Sequence, residues 1–253
     1  MTGTDWLPHT SRRRARQLML GALEFPRAAH EFGAMMAAVP LLASAAGADG
    51  RPVLVIPGLS GGNGWTTAIR SYLGSLGHSV YGPRFAANKG TPARVLRCLA
   101  EQLDDLAAQH DQRVGLVGWS VGGSIAREVA KRHRGRVRQV ITLGAPLGST
   151  RQALHGRPAA PPQPRVGLPA PGFAVLPVPS TVIYSRTDGV FDWRRYPQDD
   201  GPDSENIVVL GSHLGMAHNP AVLHVLADRL AQPDGRWSPY RPPRELRCLF
   251  PVR

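Results

Sequence analysis

The chain has 253 residues, an apolar share of 42% and a formal charge of +12, carried almost wholly by arginine because lysine occurs only at Lys89 and Lys131. That much apolar content with only two cysteines excludes a disordered polymer and a small disulfide scaffold. The arginines are scattered and accompany no nucleic-acid motif, so the charge reads as arginine-rich coding and no nucleic-acid partner is expected.

In chain order, residues 1–11 read as loose. From Arg12 to about Ala38 the residues Leu18, Ala22, Phe25, Ala29, Phe32 and Met36 recur near a helical period, and Pro26 is expected to kink or split that helix. Its apolar face is expected to pack on the core or near the mouth of a site, since most amphipathic helices cover a core. Peripheral docking on a membrane, with the arginine run beside lipid, is the alternative. The most apolar stretch, Gly33 to Gly47, is too short to span a bilayer and contains Pro40. Ser11 to Arg16 suggests a twin-arginine export signal, but Glu24, Arg27, His30 and Glu31 interrupt the apolar segment such a signal needs. The expectation is a cytoplasmic chain. Cys98 and Cys248 stand in no metal-ligand spacing, so no metal is expected; free thiols are expected, and a pairing between them stays open.

Val53 to Ile56 reads as a strand apolar on both faces, followed by a glycine-rich loop over Gly58 to Asn63. A helix is expected over Trp65 to Leu76, a short strand over His78 to Gly82, and a helix opening at Thr91-Pro92 and running to about Gln109. Further buried strands are expected at Val114 to Val117, Val137 to Leu143, Thr181 to Tyr184 and Asn206 to Leu210, with a last helix from Pro220 to Ala231. Fully apolar strands alternating with helices imply a mostly parallel, doubly wound α/β sheet of about six strands, covered on both faces. Ligands of such sheets bind at the carboxyl ends of the strands. Gly148 to Pro179 is proline-rich, lacks period and reads either as a short non-helical covering of the site or as a surface loop.

The strand at Val114 runs into Gly118-Trp119-Ser120-Val121-Gly122 and then a helix-forming run. That is a G-x-S-x-G elbow in the strand–turn–helix setting it requires. A serine hydroxyl needs a base to take its proton, and His213, in Gly211-Ser212-His213-Leu214-Gly215, is the candidate, with His218 the rival. The imidazole needs a carboxylate, for which Asp188 in Thr187-Asp188-Gly189 is the candidate and Asp192 the rival. The expected oxyanion donor after the nucleophile is the Val121 N–H.

With Val53 to Leu59, Ser120, Tyr184 to Asp188 and Gly211 to His213 in that order, the chain resembles the α/β-hydrolase family from about Pro52 to Arg229, and within it the small bacterial esterases and lipases with minimal lids. The resemblance implies a catalytic Ser120, Asp188 and His213, and a second oxyanion donor at Leu59, with Ser60 assisting. Pro57 stands where many members carry histidine. Leu59, Val121, Leu147 and Leu214 suggest an apolar acyl group, and Trp119 is expected to pack on the end of the sheet or line the acyl pocket. The implied activity is cofactor-free hydrolysis of a small-molecule ester. An acyltransferase or thioesterase on the same residues, or a non-catalytic binding protein of the same fold, are the alternatives. The implied layout is a helical extension over 1–48, a hydrolase domain over 49–235 with a cap segment over 148–179, and a tail over 236–253.

Overall fold

The computed structural model describes residues 9–58, 62–84, 92–146 and 175–251. The expectations at Leu59, Ser60 and Leu147, the N-cap at Thr91 and nearly all of the proline-rich segment lie outside the described residues. The described chain begins with three helices, α1 (His9–Ala22), α2 (Glu24–Ala37) and α3 (Val39–Ala43). Then follow β1 (Pro52–Ile56), α4 (Thr67–Ser75), β2 (Ser79–Tyr81), α5 (Pro92–His110), β3 (Val114–Trp119), α6 (Val121–Arg132) and β4 (Val137–Leu143). The last elements are β5 (Ser180–Tyr184), β6 (Ser204–Val208) and α7 (Pro220–Ala231).

The six strands form one sheet in the order β2-β1-β3-β4-β5-β6, and every pair is parallel. Parallel strands need crossovers long enough to return the chain, and α4, α5 and α6 supply those between β1 and β2, β2 and β3, and β3 and β4. Side chains alternate across each strand, so the apolar runs feed two cores. Val53, Val55, Val117, Ile141 and Leu143 face one layer with Leu73, Leu223 and Leu226. Leu54, Ile56, Leu116 and Val140 face the other, with Leu99, Leu103, Ile125 and Val129. These side chains are almost fully buried, each worth roughly 1.5–3 kcal/mol.

Three local expectations are corrected. The helical break falls at Leu23, not at Pro26, which lies in the first turn of α2 where its missing N–H has no intrahelical partner to lose. The segment at Trp65 begins as a short 3-10 helix, Asn63–Thr66, before α4. The last strand begins two residues earlier than its apolar run, at Ser204, because Ser204 and Glu205 pair with Ser180 and Thr181 of β5.

The larger correction concerns the N-terminal helices. Their buried positions are Glu24, Glu31 and Leu42, while Leu18, Phe25, Phe32 and Met36 face outward. Only Met35, Ala38 and Leu42 join the core. The apolar period correctly marks a helix, but the side turned inward is chosen by the backbone N–H groups of two loops that need acceptors.

Candidate active site

The loops after β3, β5 and β6 meet at the carboxyl edge of the sheet. Ser120 joins β3 to α6 with φ +55° and ψ −130°, a left-handed conformation that costs a non-glycine residue of order 1–3 kcal/mol. The turn closes only because the second and third residues after Ser120, Gly122 and Gly123, carry no side chain. A Cβ on Gly122 would stand 2.2 Å from the Ile56 carbonyl oxygen, and one on Gly123 would stand 2.4 Å from the Ala145 Cβ. The elbow thus sits against the end of β1, and Gly58 lies directly beside the Ser120 side chain. Ser120 is the N-cap of α6, whose first-turn amides and dipole favour negative charge there.

His213 Nε2 lies 3.1 Å from Ser120 Oγ, and its Nδ1 lies 2.7 Å from Asp188 Oδ2. His213 and Asp188 are both buried. Asp188 Oδ1 accepts from the backbone N–H groups of Val190 and Phe191 at 2.8 and 2.9 Å, and Oδ2 accepts from the Tyr196 hydroxyl at 2.7 Å. Burial first, and the adjacent Asp188 charge second, push Tyr196 well above its ordinary value, so it remains a proton donor. The imidazole is walled by Trp119 and Phe191, with ring centroids 6.1 and 5.3 Å away. Trp119 stacks on Trp65 and donates from Nε1 to the His213 carbonyl at 3.2 Å, fixing the backbone of the histidine loop.

The rivals are elsewhere. Asp192 is exposed and caps a short 3-10 helix, Trp193–Arg195, by accepting from the Arg194 N–H. His218 ends the 3-10 helix Leu214–His218 and packs edge-on against Phe32. Arg127 is buried and donates from Nη1 to Gln198 Oε1 at 2.8 Å. Leu214 is half-buried against the core. Val121 is buried at the first position of α6. Cys98 and Cys248 are free thiols. Among the described residues no group of His, Cys, Asp and Glu could hold a metal ion.

Helices α1 and α2 add a set of contacts that sequence reasoning missed. Glu24 accepts from the Gly189 N–H through Oε1 at 2.7 Å and from the Leu214 N–H through Oε2 at 2.8 Å. One carboxylate, 3% exposed, therefore ties the residue after Asp188 to the residue after His213. Arg27 donates to the carbonyls of Thr187 and Gly211 at 2.8 and 2.6 Å, spanning the same two loops. Glu31 accepts from the Ser212 N–H at 2.6 Å, and Gln17 donates to the Asp188 carbonyl at 3.1 Å. Burial raises the Glu31 pKa, partly offset by the Ser212 and Asn219 donors. The signal was two carboxylates seven residues apart in an apolar, basic helix, which read as interruptions of an export segment. Tyr196 carried no comparable signal.

No family model matches this sequence, and no curated protein matches it. Solved structures do. The chain is similar to lipase B of Aspergillus fumigatus at 19% identity and a TM-score of 0.60, over 76% of this chain and 55% of that one, so it spans little more than half of that lipase. It is also similar to a structure reported for the metagenome-derived lipolytic enzymes LipS and LipT, at 16% identity and a TM-score of 0.53, over 74% of this chain and 94% of the other. An α/β hydrolase from the metagenome of lagoon sediments at Mar Chica, Morocco, aligns at 18% identity and a TM-score of 0.50, over 73% of this chain and 91% of that one. With its six-stranded parallel sheet and flanking helices, this chain has the α/β-hydrolase fold.

Proposed function

We propose that the protein is a serine hydrolase of carboxylic esters, acting through an acyl-enzyme on Ser120. The observation that carries this reading is the unbroken line from Ser120 Oγ to His213 Nε2 at 3.1 Å and from His213 Nδ1 to Asp188 at 2.7 Å. In this reading the ester carbon is attacked by Ser120 Oγ while its proton passes to His213 Nε2. Asp188, held as an acceptor by three other donors, fixes the Nδ1–H tautomer and stabilises the imidazolium. The tetrahedral oxyanion collects against the Val121 N–H at the start of α6, with Leu59 as the expected second donor. Collapse expels the alcohol, which takes the proton from His213. Water then gives its proton to His213, attacks the acyl carbon and releases the acid as the proton returns to Ser120.

Glu24 acts in this scheme as a positioning residue, because it holds the Asp188 and His213 loops to one carboxylate. Trp119 and Leu214 would line the acyl side, with Ser60 and Leu147 as expected neighbours. The test is labelling by a fluorophosphonate, followed by a ladder of p-nitrophenyl esters. The wild-type chain should label and turn over esters, and Ser120→Ala should do neither while melting at the same temperature. A folded wild-type chain that does not label would refute the proposal. Added alcohol acceptors distinguish hydrolysis from acyl transfer by their ester products.

A further inference from the structure

The N-terminal helices are mounted with their polar side inward, which leaves an apolar side facing water. Of the large hydrophobic side chains exposed among the described residues, most lie between Leu18 and Leu41. Phe25, Phe32 and Met36, at spacings of seven and four, form one exposed stripe along α2, and Leu18 on α1 and Val39 on α3 are exposed as well. Phe25 is 72% exposed and Leu18 68%. A stripe of this kind is unusual on a protein that meets only water. It continues at Val39 into an open apolar groove of about 300 Å³, lined by Met35, Leu42, Tyr72 and Leu223.

The charge on this face has one sign. Between His9 and Ala48 the only carboxylates are Glu24 and Glu31, and both are buried and spent on loop N–H groups. Arg14 and Arg16 are exposed at its α1 end, where the sequence also carries Arg12 and Arg13. A second copy of this chain would bring the same arginines and a further +12 charge, with no exposed carboxylate between His9 and Ala48 to meet them. Phenylalanine, leucine and methionine beside arginine, without exposed acid, is the composition that binds the boundary of an anionic bilayer.

We propose that the outer face of α1 to α3 docks on an anionic lipid surface, with the exposed Leu18, Phe25 and Phe32 in the acyl boundary and Arg14 and Arg16 among the headgroups. A helix only ~10 Å thick then separates the bilayer from the loops of Asp188 and His213, which its inner side grips. This inference stands apart from the hydrolytic reading, since it concerns the opposite side of the helices.

The test uses full-length Ser120→Ala protein, so that turnover cannot alter the lipid. It is centrifuged with vesicles of phosphatidylcholine alone and of phosphatidylcholine with phosphatidylglycerol. Binding is expected only with phosphatidylglycerol, weakening as salt rises. The added pair Leu18→Ser and Phe25→Ser should weaken partitioning at least ~tenfold. Arg14→Gln with Arg16→Gln should weaken binding to the phosphatidylglycerol vesicles and lower its salt dependence. These four side chains are exposed, so melting temperatures should not move. As a second reading, hydrogen exchange of the chain bearing only Ser120→Ala should slow over residues 14–41 when phosphatidylglycerol vesicles are added. No vesicle binding, binding indifferent to the Leu18 and Phe25 changes, or unaltered exchange over 14–41 each overturns the proposal. So does a dimer in light scattering that those two changes dissolve.

Discussion

Asp188 satisfies four donors with two oxygens, and each donor has a separable consequence. The two backbone amides orient the carboxylate. The Tyr196 hydroxyl shares Oδ2 with the His213 ring and so competes for the lone pairs facing the imidazole. Tyr196→Phe removes a bond to a charged group, and on the hydrolase reading kcat should fall roughly tenfold with KM little changed. A loss confined to kcat, with the melting temperature unmoved, would separate this effect from loss of packing. Glu24 offers a graded test. Glu24→Ala leaves the partly buried Gly189 and Leu214 amides without their acceptor, at about 1 kcal/mol for each. Glu24→Gln keeps one carbonyl oxygen and should retain an intermediate kcat. Equal activities across the three proteins would remove Glu24 from the positioning role.

At the scale of elements, the site depends on how closely helices approach loops. A Cβ on Gly189 would stand 2.5 Å from the Leu20 carbonyl oxygen, so α1 lies directly on the acid loop. Gly189→Ala must push α1 away or distort the turn after Asp188. We expect a lowered melting temperature and faster proteolysis within residues 9–22, read by limited trypsin digestion at the arginines there; unchanged digestion would count against this contact. The strands of the sheet were legible without the structure, because short runs rich in Val, Ile and Leu, such as Val53 to Ile56, are what two-faced burial requires. The elbow was legible because Gly118, Gly122 and Gly123 mark a turn no bulkier residue can close. The inward side of α2 was not, because Glu24 and Arg27 find their partners 160 or more residues away.

For the whole molecule, stability depends on pH through a histidine outside the site. Burial pushes His78 down from 6.5 to about 4, and the Arg138 and Arg51 guanidiniums also oppose its charge. The unfolded chain takes up that proton near 6.5, whereas the folded chain takes it up only near 4. The unfolded state therefore binds more protons across this window, and stability falls as pH drops through it and is unaffected above it. Urea midpoints measured from pH 4 to pH 7 should decline toward acid, and His78→Leu should flatten that decline; an unchanged slope would assign it to other groups. The amino-acid order alone determined the alternation of strand and helix, the parallel sheet and the serine turn, because period and turn chemistry act over a few neighbouring residues. Only the tertiary structure decided that Asp188 rather than Asp192 faces the imidazole, and that the N-terminal helices turn their carboxylates inward and their phenylalanines out. Both choices depend on distances between residues far apart along the chain, and a helical period is the same whichever side faces the core.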